Sequence, residues 1–200
     1  MHSSLTGPWS RFLLYAASTV LLAAPSFGQD TPPRVALETN HGTIVLELNP
    51  DKAPITVENF LGYVDRGWYD GTIFHRVMDG FMIQGGGFTS DLQRKITRPE
   101  IQNESKNGLS NKRGTIAMAR LAQPHTATAQ FFINSVDNEG LDPGNPGIDA
   151  SGQGFGYAVF GKVVEGMDVV DAISKVETGV KNGMRDVPSE TVAIESAKRQ

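Results

Sequence analysis

Short apolar segments with a period of two recur along this 200-residue chain, and they favour a fold built mainly from β-strands. Val35 and Leu37 begin the pattern, and Ile44, Leu46 and Leu48 continue it after an Asn-His-Gly turn. Further strands are predicted at Thr72–Val77, Phe81–Gln84, Thr115–Met118, Gln130–Asn134, Ala158–Val164 and Thr191–Ala197. Many short strands indicate an antiparallel sandwich or barrel, and the pattern alone leaves both open.

Two segments depart from this pattern and predict helices. Ala53–Arg66 carries apolar side chains at the i, i+3, i+4, i+7 spacing between Val57 and Val64. Pro54 stands where a first-turn proline is tolerated, and Gly67 stands where a helix is expected to end. Met167–Val176 predicts a second, shorter helix.

The first 28 residues have the pattern of a signal peptide. Arg11 precedes the apolar stretch Phe12–Ala24, and Ser26 and Gly28 fit positions −3 and −1 of a cleavage site. The apolar stretch is short for a membrane span, so we predict export and cleavage, with an uncleaved anchor as the rival interpretation. The remaining chain then divides into a short linker, residues 29–34, and one domain, residues 35–200.

Composition excludes several classes of function. The chain has no cysteine, which removes disulfides, Cys-ligated zinc and thiol nucleophiles. Its net charge is −4 and it has no cluster of Lys and Arg, so we predict no nucleic-acid binding. No pair among its four histidines has metal-ligand spacing, and no Gly-x-Ser-x-Gly motif of a hydrolase is present. We therefore predict neither a metal nor a cofactor.

The run Phe74–Phe88 carries the most chemical information. It sets one cation, Arg76, among Phe and Met side chains, and Gln84 follows eight residues later. Because successive strand residues point to opposite faces, part of this run predicts an apolar groove with a guanidinium at its edge, able to hold a peptide carbonyl oxygen. The triplet Gly85-Gly86-Gly87 lacks the spacing of a phosphate-binding loop, and we predict a tight β connection there.

This run and three later blocks together resemble the cyclophilin peptidyl-prolyl isomerases. The later blocks, in the same order as in the family, are Gly114–Arg120, Gln130–Asn134 and Phe155–Val163. The similarity extends over about Val35–Ser196 and is greatest to bacterial, exported members. It implies a closed eight-stranded antiparallel β-barrel capped by two α-helices.

The resemblance also implies roles for individual residues. Arg76 matches the catalytic arginine, and Gln84 matches the residue that orients it and the substrate backbone; with Phe81, they form the expected catalytic set. The expected substrate-binding residues are Met82, Ala119, Arg120, Gln130, Phe132, Leu141 and Tyr157. Among these, Met82, Phe132 and Leu141 join Phe81 in the pocket for the proline ring.

Two positions depart from the family pattern. Gly140 falls where the family usually has Trp or another aromatic residue, which predicts an open rim and puts sensitivity to the cyclic peptide cyclosporin in doubt. Arg120 stands where many members carry Asn, and we predict an altered preference for the residue before proline. The segment Asp142–Gly154 has the length of a functional loop and could reshape the same rim.

The resulting prediction is a monomeric, periplasmic peptidyl-prolyl cis-trans isomerase that acts on proline-containing segments of unfolded exported proteins. An alternative function also fits the sequence. The same groove could serve a chaperone module that binds proline-containing segments with little catalysis.

Overall fold

The computed structural model describes residues 1–2 and 31–200. The predicted signal peptide therefore lies almost entirely outside the described residues. The strands are β1 (Arg34–Thr39), β2 (Gly42–Leu48), β3 (Thr72–Met78), β4 (Met82–Thr89), β5 (Thr115–Met118), β6 (Phe131–Asn134), β7 (Val159–Glu165), β8 (Thr178–Lys181), β9 (Met184–Pro188) and β10 (Ala193–Arg199). The helices are α1 (Pro54–Val64) and α2 (Met167–Ser174).

Eight of these strands form one closed barrel in the order β1-β10-β3-β4-β6-β5-β7-β2. Every neighbouring pair is antiparallel. Closure leaves no free sheet edge, which in an open sheet would expose unpaired backbone groups. The predicted eight-stranded barrel with two helices is confirmed.

The barrel interior holds the main apolar core, and both helices contribute to it. Phe60 of α1 is fully buried, and its ring lies 5.7 Å from that of Phe131 and 5.2 Å from that of Phe160. Val170 and Ile173 of α2 are also fully buried in this core. Removing an aromatic side chain as large as Phe60 would cost roughly 3–5 kcal/mol of stability.

Strands β8 and β9 form a separate two-stranded hairpin that was not predicted from the sequence. All four residues of β8 are exposed, so that strand shows no apolar alternation. The available signal was the pair Asn182-Gly183, whose φ angles of 49° and 76° suit a tight hairpin turn.

The triplet Gly85-Gly86-Gly87 also differs from expectation, because it lies inside strand β4 and does not form a connection. Gly86 has a φ of 78°, and a Cβ atom added there would lie 2.8 Å from the Tyr69 ring. This position therefore requires glycine for both its backbone angle and the close approach of the core aromatic rings.

No helix in the described residues is long and apolar enough to cross a membrane.

Candidate active site

The site begins with a row of side chains that crosses neighbouring strands of the barrel. Arg76 of β3 pairs with Gln84 of β4, Gln84 pairs with Phe132 of β6, and Phe132 pairs with Ala117 of β5. Directly paired residues on one sheet face lie about 4.5–5.5 Å apart, so the row presents a cation, an amide and an aromatic ring side by side. The register alone brings together residues that are far apart in the chain.

Alternation along each strand separates this row from the main core. Phe131 and Ile133 point into the barrel core, whereas Phe132 belongs to a second apolar cluster with Met82 and Val159. The neighbouring strand β3 contains a register irregularity between Phe74 and Arg76. Bulges of this kind change the direction in which side chains point. Here Phe74 is buried in the core, whereas Arg76, two residues later, points outward.

One cavity of about 450 Å³ opens over the second cluster. Nine of the ten predicted site residues line it: Arg76, Phe81, Met82, Gln84, Ala119, Arg120, Phe132, Leu141 and Tyr157. Its floor is apolar, because it consists of the side chains of Met82 and Phe132. Both are more than nine-tenths buried. The ring of Phe132 packs edge-on against Tyr157, with 5.5 Å between the ring centroids. A compact apolar ring such as proline would fit a cavity of this character.

Gln130, the tenth predicted residue, lines a neighbouring groove. It is linked to the cavity through Gln84, whose side-chain Nε2 donates to the Gln130 Oε1 at 2.9 Å. The backbone carbonyl of Gln130 also accepts a hydrogen bond of 3.0 Å from the Ala119 N–H. These bonds fix the amide of Gln84 next to Arg76.

Arg76 sits between the cavity and this groove and lines both. Its side chain is 41% exposed. Its Nη2 atom donates to the sulfur of Met78 at 3.1 Å, and its Nε atom lies 3.5 Å from a carboxylate oxygen of Asp186 in β9. Sequence reasoning missed Asp186 because the hairpin that carries it was not predicted.

Arg120 lines the cavity, but its hydrogen-bond donors point into the protein. A guanidinium has five N–H donors, and the Arg120 side chain contacts five backbone carbonyl oxygens at 2.7–3.2 Å. These acceptors belong to Leu121, Ala122, Ile148, Phe155 and Gly156. The predicted influence of Arg120 on substrate preference would therefore act through the shape of the rim.

Asp149 organises the same rim from within the loop. Its carboxylate accepts hydrogen bonds from the backbone N–H of Phe155 at 3.0 Å and of Ser151 at 2.9 Å. The Phe155 bond is the main reason that the pKa of the Asp149 carboxyl is held well below its ordinary value, and the charge of Arg120 lowers it further. The long loop is therefore tied together by its own polar contacts.

Gly140, predicted to leave the rim open, lies in a short 3-10 turn, Glu139–Leu141, directly before the cavity residue Leu141. A Cβ atom added at Gly140 would have no atom of the described residues within 4 Å, apart from those of its two chain neighbours. A larger side chain has room at this position.

The side chain of His75, next to Arg76, is buried against an aromatic ring. It is 5% exposed and packs against Phe88 with 4.5 Å between ring centroids. Burial lowers its pKa to about 4, and the nearby charge of Arg76 adds to this effect. The imidazole is therefore neutral at physiological pH.

Comparison with known families identifies the class of protein that this barrel and cavity define. The family model "Cyclophilin type peptidyl-prolyl cis-trans isomerase/CLD" matches residues 34–199. The chain therefore belongs to the cyclophilin-type peptidyl-prolyl cis-trans isomerases, which act on proline-containing peptides.

Similar proteins include several bacterial ones. The peptidyl-prolyl cis-trans isomerase cyp18 of Streptomyces antibioticus is 60% identical over 164 residues, covering 82% of this chain and 96% of the relative. Peptidyl-prolyl cis-trans isomerase A of Dickeya dadantii is 50% identical over 192 residues, covering 94% and 97%. Peptidyl-prolyl cis-trans isomerase B of Escherichia coli is 56% identical over 162 residues, covering 81% and 96%.

A solved structure has the same fold. The Cryptosporidium parvum cyclophilin type peptidyl-prolyl cis-trans isomerase cgd2_1660 aligns with a TM-score of 0.67 and 24% identity. The alignment covers 84% of this chain and 98% of that one.

Proposed function

We propose that this isomerase stabilises a twisted X-Pro amide with Arg76 over the apolar cavity, and that it serves the folding of exported proteins. The observation that carries the mechanism is the cross-strand row of Arg76, Gln84 and Phe132 beside one cavity that Phe81, Met82 and Leu141 also line.

The reaction requires no bond to be made or cut. Rotation about an X-Pro bond has a barrier of roughly 20 kcal/mol because it breaks amide resonance. In the transition state the amide is twisted and its nitrogen has regained a lone pair. A catalyst must therefore bind this geometry more tightly than either planar isomer, and a millionfold acceleration corresponds to about 8 kcal/mol of selective binding.

Arg76 supplies the polar part of this selective binding. A hydrogen bond to a charged group contributes roughly 1.5–3 kcal/mol, and more where water is excluded. The guanidinium would hold the prolyl carbonyl oxygen and stabilise the pyramidal nitrogen. Its rigid fork and permanent charge suit this task better than a lysine ammonium. Gln84, restrained by Gln130, would orient Arg76 and the substrate backbone.

The apolar residues supply the remaining part. Phe81, Met82, Phe132 and Leu141 line the cavity and would hold the proline ring still while the preceding residue rotates. Moving the amide out of water also favours the twisted state, because the planar amide is the more polar form. The other cavity residues, Ala119, Arg120 and Tyr157, together with Gln130 in the neighbouring groove, would contact or shape the site for the residue before proline.

The test of this mechanism is protease-free NMR exchange between the cis and trans forms of an X-Pro peptide. Arg76→Ala is compared with Arg66→Ala, which removes an exposed arginine outside the cavity. We expect catalysed exchange to fall at least a hundredfold in Arg76→Ala and to stay normal in Arg66→Ala, with both variants folded. Normal exchange in folded Arg76→Ala would refute the mechanism.

A second function, that of a proline-segment-binding chaperone, is favoured by the free space at Gly140, next to the cavity residue Leu141. It would exist beside catalysis and would use the same cavity. Suppression of aggregation by the Arg76→Ala variant, which keeps the apolar residues, would support it. Absence of any effect on aggregation, with efficient peptide turnover, would exclude it.

We also propose export to the bacterial periplasm through cleavage after Gly28, followed by action as a monomer without nucleic-acid partners. The alignment with isomerase A of Dickeya dadantii supports this proposal, because it extends into the N-terminal segment. It covers 94% of this chain, whereas residues 29–200 are 172 of 200 residues, or 86%. N-terminal sequencing of protein recovered from the periplasmic fraction should give Gln29 as the first residue. An intact N-terminus in the membrane fraction would instead mean a retained anchor.

A further inference from the structure

The hairpin of β8 and β9 forms one wall of the groove beside the catalytic arginine. This groove has a volume of about 480 Å³. Met184, Arg185 and Asp186 line it from β9, and His75, Arg76 and Gln130 line it from the opposite side. The hairpin lies outside the closed barrel, so the barrel strands could pair without it.

Two contacts limit the orientations that the Arg76 guanidinium can take. Its Nε atom faces Asp186 Oδ2 at 3.5 Å, and its Nη2 atom donates to Met78 Sδ at 3.1 Å. Nη1 has no hydrogen-bond partner among the described residues, and Arg76 also lines the cavity over Phe132. The edge of the guanidinium that carries Nε and Nη2 is therefore held by the protein. Nη1 remains able to donate a hydrogen bond to a substrate carbonyl.

The backbone at Asp186 is unusual for a residue that carries a side chain. Its φ angle is 61°, in the left-handed region that Asp and Asn tolerate better than most residues. The next two residues, Val187 and Pro188, are buried, and the Lys181 Nζ donates to the Pro188 carbonyl at 2.9 Å. The hairpin is thus fixed directly after this strained residue, by burial and by a contact from the partner strand. Strain of this kind is often found at functional sites.

We propose that Asp186 is a positioning residue for Arg76, an inference that rests on the proposed function of Arg76 in catalysis. Both side chains are partly exposed, at 41% for Arg76 and 36% for Asp186, so their attraction adds little to stability. Its effect is on orientation. An anchored guanidinium has already lost part of its rotamer freedom, so less is lost when it binds the twisted amide.

The contact is tested directly by the NMR signal of the Arg76 Nε–Hε group, assigned by its absence in Arg76→Ala. In the wild-type protein we expect slowed exchange of Hε with solvent, because it faces a carboxylate. Asp186→Asn should speed this exchange at least threefold, and Glu190→Gln, which removes an exposed charge outside the groove, should leave it unchanged. An Hε signal that does not respond to Asp186→Asn would overturn the proposal.

Kinetics separate positioning from a merely structural role. Asp186→Asn keeps the tolerance for the left-handed backbone and removes only the charge. We expect kcat to fall about fivefold with KM within twofold of wild type, and Asp186→Glu to restore part of the loss. In an Arg76→Ala background Asp186→Asn should have no further effect on the residual rate.

Two results would overturn the inference. One is wild-type kcat in Asp186→Asn. The other is an equal loss with and without Arg76, since a residue that acts through Arg76 has no target once that side chain is removed. Full turnover in Arg76→Ala alone would instead refute the proposed mechanism, while the Nε–Hε signal would still report on the contact.

Discussion

The guanidinium of Arg120 lies over the ring of Tyr157, with its central carbon 4.6 Å from the ring centroid. Both residues line the cavity, and Tyr157 in turn packs against Phe132 on the cavity floor. Three of its carbonyl contacts, to Ile148 in the loop and to Phe155 and Gly156 directly after it, therefore connect the long rim loop to the ring that borders the expected proline site.

Arg120→Ala should loosen this rim while leaving the barrel intact. Several charge-assisted hydrogen bonds and a cation–π contact are lost together, so we expect about 2 kcal/mol less stability and faster amide hydrogen exchange in residues 142–156. Catalytic efficiency should fall about tenfold, and the preference among residues before proline should change together with the exchange in the loop. Urea unfolding, hydrogen exchange and a peptide series provide these measurements.

Arg120→Lys is the matched variant for this prediction, because it keeps the charge but cannot reach five acceptors. It should behave like Arg120→Ala in loop exchange. If either variant changed the preference among residues before proline without changing exchange in the loop, Arg120 would be a direct substrate contact.

Phe131 and Phe132 are adjacent in β6 and should respond differently to truncation. Phe131 is fully buried in the main core with Phe60 and Tyr69, so Phe131→Ala should cost about 3–5 kcal/mol of stability. Phe132 borders the cavity but is only 4% exposed, so Phe132→Ala should cost about 3 kcal/mol, the lower end of the same range.

The kinetic consequences should show the reverse order. Phe132→Ala should lower kcat/KM at least tenfold, because the expected proline pocket loses its floor, whereas folded Phe131→Ala should retain near-normal turnover. Both are compared at a temperature where each variant is folded. Equal kinetic losses would mean that the two rings do not divide between core and cavity.

This pair also shows what the sequence could predict. Strand alternation was sufficient to separate Phe131 from Phe132, and the apolar stripe of α1 predicted its buried face. Alternation did not distinguish a sandwich from a barrel, because closure depends on pairings such as β1 with β10, between segments at opposite ends of the chain. The closed barrel came from family resemblance.

Other features depended on contacts that no local pattern encodes. The pairing of Arg76 with Gln84 and of Gln84 with Phe132 is a matter of register across three strands. Asp186 lies over a hundred residues from Arg76 in sequence. Its strand, β9, pairs with the fully exposed strand β8, so this hairpin has no clear alternation of apolar and polar residues. The Asn182-Gly183 turn signal was present, but nothing local indicated that this hairpin reaches the active arginine.

Filling the open rim should strengthen the binding of bulky cyclic peptides. Gly140→Trp adds a large aromatic side chain at a position that has space for it among the described residues. Burying even a third of an indole against a ligand is worth about 1.5 kcal/mol, or roughly tenfold in affinity. We expect the dissociation constant of cyclosporin to fall at least tenfold, by calorimetry, with Gly140→Ala as the control. Unchanged affinity in folded Gly140→Trp would mean that this side of the rim does not contact the ligand.

The buried imidazole of His75 should make stability depend on pH over a defined window. Burial lowers its pKa to about 4 in the folded protein, against an ordinary value of 6.5. Between these two values the unfolded chain binds a proton that the folded protein excludes. Stability is therefore fully present above pH 6.5 and is lost as pH falls toward 4, by up to about 3 kcal/mol.

His75→Phe removes this titration while keeping an aromatic ring against Phe88. We expect the free energy of unfolding of the wild type to fall more steeply than that of the variant between pH 6.5 and 4. The difference in slope should correspond to the binding of at most one proton on unfolding, and the two curves should run parallel above pH 7. His41→Phe is the control, because His41 is exposed in the turn between β1 and β2. Urea unfolding at a series of pH values measures this difference, and parallel curves through the whole range would mean that His75 is protonated as easily in the folded protein as in the unfolded chain.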